Sequence, residues 1–330
     1  MRSFGEFLIE DWLHLRPLTE GGKQLANDFV QKRFLNARPG ALAKFLRENE
    51  NLSGKNILQV VAFEQPDVLD FSLKMAGRHL PDATAIVFDN SRSAQARIEI
   101  ERLCRNRNVP YLALPHNPTS HENRSHGMAM TWIWHNVVKA IRPSISGFID
   151  HDVIPLQKVE LAKVLNRQPF YGVPYVGKWA WSLWAGFCFY GFVEVASLPL
   201  NFMNDFSRGV DTGGRNWKCL YKTHDYRKLQ FAELRFYDVL GDSAGQPGEL
   251  EVIDQSWLHI GGGNLRGDHG RYSNFYRRIL SIIDEGADWQ QLQAALGGSD
   301  KIRPIGKDVI SKGKRPRWLK SSFESSTFQI

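Results

Sequence analysis

Cysteine is scarce: 3 among 330 residues. Cys104, Cys188 and Cys219 are odd in number and share no C-x-x-C spacing. That excludes a disulfide framework and a cysteine zinc site, and makes a reducing cytoplasm the default expectation. Long apolar runs are missing as well. The longest uncharged stretch, Trp179 to Val193, falls short of the roughly 20 residues a membrane helix needs. Met1 to Leu18 carries Glu6, Glu10 and Asp11 among its apolar residues, unlike a secretory signal. No internal repeat is visible.

Charge of one sign is scarce too, outside one place. The chain has 42 Lys and Arg against 35 Asp and Glu, a net +7. Lys301 to Ile330 alone holds eight of the cations (Lys301, Arg303, Lys307, Lys312, Lys314, Arg315, Arg317, Lys320) and two acids (Asp308, Glu324). The body is therefore nearly neutral, which argues against a cation-coated nucleic-acid binder. The basic end reads most simply as a solvated tail. Its charge would also suit anionic lipid at the inner face of a membrane or, less readily, nucleic acid.

What is present is a βα alternation. Residues 1–54 read as a helical lead-in, with Leu25, Phe29 and Val30 sharing one face and Leu42, Phe45 and Leu46 another, broken at Pro39-Gly40. This is expected to be a packing extension. Apolar runs of strand length follow at Asn56–Phe63, Thr84–Asp89, Val109–Leu114 and Ile145–Ile149. Amphipathic helices separate them, the clearest with Gly127, Met130, Thr131, Trp134, Val137 and Val138 on one stripe. The pattern predicts an α/β fold with a doubly wound, mostly parallel sheet. Beyond Asp152 the alternation decays into a mixed half. Strands are expected near Phe231–Leu240 and Leu250–Ile260, and helices at Val159–Leu165, Tyr272–Ile283 and Trp289–Leu296. The expected organisation is an extension (1–54), a catalytic domain (55–298, halves 55–155 and 156–298) and a tail (299–330).

Ligands in such sheets bind beyond the carboxyl ends of the strands. The fourth run ends in Asp150-His151-Asp152. Two carboxylates at that spacing suit a hard divalent cation such as Mg²⁺ or Mn²⁺. Alone, the same triplet reads equally as an Asp-rich turn.

The surrounding order is more specific. Val87-Phe88-Asp89-Asn90-Ser91, the helix from Ser125-His126-Gly127 through Asn136, and Phe148-Ile149-Asp150-His151-Asp152 with Val153-Ile154-Pro155 lie in sequence. From Thr84 to Pro155 the chain resembles the family-2 nucleotide-sugar glycosyltransferases, which have the Rossmann-like glycosyltransferase A fold. Trp184-Ala185-Gly186-Phe187 and Asp211-Thr212-Gly213-Gly214 resemble acceptor-side segments of that family. The resemblance implies that Glu64 and Asp89 contact the nucleotide base, with Ala62, Phe63 and Ser91 around it. It places His126, Gly127 and His151 on the donor side. Asp150 would face ribose or metal, Asp152 would bind the metal, and His259, followed by three glycines, would complete the site. His259 reads alternatively as a core histidine.

The implied activity is metal-dependent transfer of one sugar, from a UDP-sugar by preference, to a glycan or other hydroxyl acceptor, with inversion, in surface glycan synthesis. The Q-x-x-R-W pattern of processive synthases is absent, which favours single transfer. The family's acidic E-D pair is absent from the acceptor-side part of the chain. Asp211 is therefore the candidate base, or else a cap for the helix near Trp217; Glu233 and Asp238 are alternatives. Among the crowded Trp179, Trp181 and Trp184, one is expected to face the acceptor, with Trp181, Trp184 and Gly186 the acceptor-side candidates. The segment around Asp254, Arg266, Asp268, His269 and Arg271 could close over a diphosphate. Two other classes fit less well. A sugar-phosphate nucleotidyltransferase needs a Gly-rich loop where Phe63-Glu64-Gln65-Pro66 stands. A non-enzymatic glycan- or nucleic-acid-binding module would rely on the tail.

Overall fold

Four of the apolar runs form the parallel core of a sheet. They are β1 (Asn56–Ala62), β2 (Ala83–Asp89), β3 (Tyr111–Ala113) and β4 (Ile145–Asp150). The computed structural model describes residues 1–119, 121–240, 247–260, 271–297 and 299–301. After β4 the chain makes β5 (Val153–Pro155), then β6 (Phe170–Val176) and β7 (Trp181–Gly191). Strand β7 pairs antiparallel with β4, and β6 with β7, completing a six-stranded sheet of order β3-β2-β1-β4-β7-β6. The doubly wound, mostly parallel α/β sheet expected from the sequence is therefore present, with two antiparallel strands from the second half on its edge.

Both faces of the sheet are covered, so β1 is apolar on both sides. Ile57 and Val61 join one core with Phe88, Trp134 and Phe148, and Leu58 and Val60 join another with Val87, Ile149 and Phe187. Helices Pro66–His79 and Ala94–Asn106 connect β1 to β2 and β2 to β3. Each starts on a favourable signal, Pro in the first turn of one and Ser93 accepting from the Ala96 amide in the other. Helix Glu122–Ile133 precedes β4 and passes into a π-helical turn at Trp134–Val138.

A second sheet packs beside the first. Strands β8 (Leu234–Leu240), β9 (Pro247–Ile253), β10 (Trp257–His259) and β11 (Ser299–Lys301) join β5 in the order β11-β8-β9-β10-β5. The run expected as one strand from Leu250 to Ile260 is two, because Asp254 and Gln255 turn the chain in left-handed conformations. Ile279, Ile283, Trp289 and Leu292, from the last two described helices, cover this sheet. No described helix is long and apolar enough to cross a membrane. The basic tail beyond Lys301 lies outside the described residues.

The lead-in is helical as expected, at Ile9–Leu13, Arg16–Asn36 and Leu42–Glu48. Leu42 and Phe45 pack inward. The Leu25, Phe29 and Val30 face does not: all three are exposed. Polar groups dock this helix instead. Gln31 donates to Asn201 (3.0 Å), and Arg124 donates to Asn27 (2.9 Å). Trp132 Nε1 and Asn136 Nδ2 satisfy the carbonyls of Ala37 and Leu35 at its end.

Candidate active site

Strand register sets the site. Ala62 lies opposite Asp89, and Val61 opposite Asp150, so three parallel strands end at one level. A cleft of about 330 Å³ opens there, walled by residues from β1, β4, the turn after β2 and the first turns of the Glu122–Ile133 helix.

The turns after β1 and β2 are bolted together by the residues expected to touch a nucleotide base. Asp89 is fully buried; its carboxylate accepts from the Ser91 amide (2.8 Å) and from the Tyr111 hydroxyl (2.9 Å). Burial and the Asp89 carboxylate push the Tyr111 phenol up, so it remains a donor. Glu64 holds a left-handed backbone, and its side chain accepts from the amides of Arg92 (2.7 Å) and Ser93 (2.9 Å). Ser91 Oγ accepts from the Glu64 amide (2.9 Å). Asp89, Glu64 and Ser91 are thus engaged within the turns and do not line the cleft, and Ala62 is fully buried. The wall itself is Val61, Phe63, Asn90 and Arg92. Asn90 donates to Ser125 Oγ (2.9 Å) and accepts from Asn117 (3.2 Å), which ties the β2 turn to the helix.

Asp150 and Asp152 stand at the end of β4 with His259 beside them. Strand β5 carries the chain from Asp152 into the second sheet, where Val153 pairs with His259. The Ile260 amide donates to the Asp152 carbonyl (3.1 Å). Ligand atoms of Asp150, Asp152 and His259 all lie within 4.8 Å of one another, the one such group among the described residues. His259 Nδ1 donates to Glu251 (2.8 Å), its cross-strand neighbour, leaving Nε2 facing Asp152 at 3.7 Å. That is how metal-binding histidines are usually oriented. Burial alone would pull the His259 pKa down, but the carboxylates of Asp152, Glu251 and Asp150 outweigh it and hold it up to about 9. A divalent cation at Nε2 has to displace that proton. Two carboxylates and one imidazole fit Mn²⁺ or Mg²⁺.

Neighbours fix the Asp150 side chain. His126 Nδ1 lies 3.3 Å from it, while His126 Nε2 finds no partner within the protein. His151, also on the wall, reaches Gln65 (3.2 Å). Gly186 on β7 leaves room for the Asp150 carboxylate, since a Cβ there would overlap Asp150 Oδ2 and the Trp184 ring. Gly127 serves packing: a Cβ would lie 2.6 Å from the Phe202 carbonyl. Gly186→Ala is expected to weaken Mn²⁺ binding about tenfold by displacing Asp150, and to cost roughly 1–3 kcal/mol of stability. Calorimetric titration with Mn²⁺ checks this; unchanged affinity would mean the contact does not set Asp150.

The acceptor-side expectations divide. Trp181 is fully buried among Phe170, Trp217, Tyr221, Tyr226 and Phe231. It is a core residue and cannot face an acceptor. Trp179 precedes β7 and lies under the Arg2 guanidinium (4.6 Å). Trp184 is half-buried with its ring 4.7 Å from that of His259, so it borders the site. Asp211 caps no helix through its side chain. Its two oxygens accept from Asn123 Nδ2 (3.0 and 2.8 Å), and Asn123 lines the cleft. Glu233 pairs with Arg235 away from the cleft. The side chains of Asp238 and Arg271, and residues Arg266, Asp268 and His269, lie outside the described residues.

Sequence reasoning missed six wall residues, Val61, Asn90, Arg92, Glu122, Asn123 and Ser125, and the histidine's partner Glu251. Arg92 could have been found, because it directly follows the Asp89-Asn90-Ser91 turn. It is the one Lys or Arg on the described wall.

No protein-family profile matches the chain, and no curated protein matches it. Solved structures similar to it include the WbbM bifunctional glycosyltransferase, at 12% identity over 44% of this chain and 32% of that one, TM-score 0.30. Another is the mannosyltransferase PcManGT from Pyrobaculum calidifontis in complex with GDP-Man and Mn²⁺, at 9% identity over 55% and 58%, TM-score 0.32. A third is glucosyl-3-phosphoglycerate synthase from Mycobacterium tuberculosis with Mn²⁺ and UDP-glucose, at 15% identity over 41% and 48%, TM-score 0.26. The chain thus spans between 32% and 58% of these three structures. The chain is similar to these glycosyltransferases over part of its length, as a partial likeness of fold, and its chemistry rests on the residues of the cleft.

Proposed function

We propose that this chain is a metal-dependent glycosyltransferase that moves one sugar from a nucleoside diphosphate sugar to an acceptor hydroxyl, with inversion. The observation that carries the reading is the Asp150, Asp152 and His259 cluster at the carboxyl edge of a parallel sheet, on the wall of a cleft. A bound Mn²⁺ or Mg²⁺ supplies Lewis-acid stabilisation of the charge that develops on the leaving diphosphate. Arg92 adds positive charge on the same wall, and the unpartnered His126 Nε2 offers a polar contact. Phe63 and Val61 give the wall an apolar stretch for a base or ribose. The favoured donor is a UDP-sugar, and a surface glycan is the favoured acceptor setting.

Inversion needs a carboxylate to take the acceptor proton. Asp211, held by the cleft residue Asn123, is the group assigned that role. A nucleotidyltransferase is less well supported, because Glu64 occupies the turn where a triphosphate loop would lie.

Thermal-shift measurements with nucleoside diphosphates, each with and without Mn²⁺, test the reading. Ligand at about 100 times its Kd adds about 2.7 kcal/mol of stability, a rise of a few degrees. The rise is expected for one nucleoside diphosphate and only with metal. No rise for any of them, or an equal rise without metal, would overturn the proposal.

A further inference from the structure

The Arg16–Asn36 helix is amphipathic with its polar side turned toward the rest of the protein. Its inner face carries Asn27, Asp28 and Gln31, which meet Arg124, Arg215 and Asn201. Its outer face carries Leu18, Leu25 and Phe29, which are 58%, 72% and 74% exposed. At about 100° per residue these three fall within roughly 40° of one another, with Lys32 to one side and Arg33 to the other. The short helix before it, Ile9–Leu13, also exposes apolar side chains. Ile9 is 83% and Leu13 77% exposed, and the exposed Phe4 and Trp12 rings pair at 5.7 Å. Scattered exposed apolar residues are ordinary, but large ones aligned on one face of a helix are not.

The charges decide what covers it. From Arg16 to Arg38 the exposed charged side chains are Arg16, Lys23, Lys32, Arg33 and Arg38, all cationic. The two acids of this stretch, Glu20 and Asp28, are only part-exposed, and Asp28 is paired with Arg215. A second copy laid on this face would bring cations to cations, with no exposed carboxylate in the stretch to meet them. An anionic surface meets both properties at once: leucines and phenylalanine enter the acyl boundary while lysine and arginine stay with the headgroups. We infer that the outer face of the Arg16–Asn36 helix docks this protein on an anionic phospholipid bilayer. The helix lies on the surface and does not span it.

This docking stands apart from the basic tail and does not depend on the catalytic reading. It nevertheless bears on the cleft. Helix Glu122–Ile133 holds the docking helix through Arg124 and Asn27, and its first turn contributes Glu122, Asn123 and His126 to the cleft wall. An acceptor presented from the same bilayer would approach beside an element already fixed to it.

Flotation of the full chain with phosphatidylcholine vesicles, with and without phosphatidylglycerol, tests the inference. Binding is expected on the phosphatidylglycerol vesicles, weakening at high salt. The Leu18→Gln, Leu25→Gln, Phe29→Gln triple variant should bind these vesicles at least about tenfold less tightly. Its thermal midpoint should not fall, because the three side chains are exposed. Lys32→Glu with Arg33→Glu should remove the preference for the anionic lipid. A full-length variant with Lys312, Lys314, Arg315 and Arg317 changed to Gln should still bind. The inference is overturned if the intact chain ignores the anionic vesicles, if the triple variant binds as well as the parent, or if the tail variant alone abolishes binding. It is also overturned if the intact chain is a dimer that the triple variant converts to monomer.

Discussion

Asp152→Asn is expected to reduce sugar transfer by about a thousandfold or more and to abolish Mn²⁺-dependent donor binding. The substitution keeps the side chain's shape and removes its charge. The Asp152 side chain is 4% exposed, and its carboxylate faces His259 Nε2 at 3.7 Å. It is therefore one of three groups that together can hold a cation, and an amide oxygen is a much weaker ligand for a hard cation. Stability should change little. The structural hydrogen bond at this position runs from the Ile260 amide to the Asp152 carbonyl, which the variant retains. Losing one of two neighbouring carboxylates relieves their repulsion while removing an attraction for protonated His259, two effects of opposite sign. Transfer kinetics, Mn²⁺ titration and the metal-free melting midpoint check the three parts. Transfer and metal-dependent donor binding at parental levels would remove Asp152 from the metal site, and with it the basis of the proposed function.

How much of this was legible depends on which physical rule governs each residue. The strands β1, β2 and β4 are buried on both faces, so they read as continuous apolar runs, and the carboxylates that terminate β4 stood out against them. Strand β7 obeys the same rule but was not placed, because Trp181 to Gly191 mixes aromatics with glycine and carries no period. That is also why Trp181 reads from sequence as an acceptor-side candidate: nothing local says which side of such a strand is covered. In the lead-in, spacing put Leu25 and Phe29 on one face correctly but could not say that the face points outward. Periodicity reports which side chains share a face; only the partner decides whether that face is inside.

The site shows the same divide. Asp150 and Asp152 are near in sequence, and their spacing carried information. His259 arrives through the pairing of β5 with β10, and Glu251 through the pairing of β10 with β9. Both are long-range registers that no local pattern encodes. His259 was reached from its glycines and from resemblance, whereas Glu251 had no signal. Asp89 and Glu64 show the reverse case. The resemblance implied contact with a nucleotide base, yet backbone amides and the Tyr111 hydroxyl occupy their carboxylates inside the turns. Orphan amides at a tight turn compete with a ligand for the same carboxylate.

Asp211→Asn is the prediction that separates the base from the metal site. If Asp211 takes the acceptor proton, the variant should lower kcat by about 10²- to 10⁴-fold. Mn²⁺ affinity and the thermal shift given by nucleoside diphosphate should be unchanged, because Asp211 is not among the clustered metal ligands. The fold should survive. The Thr212 amide and Asn123 Nδ2 now donate to Asp211, and an Asn there keeps an acceptor oxygen for at least one of them. The expected pattern is thus the opposite of that for Asp152→Asn, in which metal binding and turnover fall together. A purely structural role for Asp211 would show instead as a lower melting midpoint, with kcat falling less than about tenfold. In that outcome Asp211 is only an anchor for Asn123, and Glu122, the acidic side chain on the described wall outside the metal cluster, becomes the next residue to substitute. Measuring kcat, donor binding and midpoint on the same preparation distinguishes a lost base from a loosened wall.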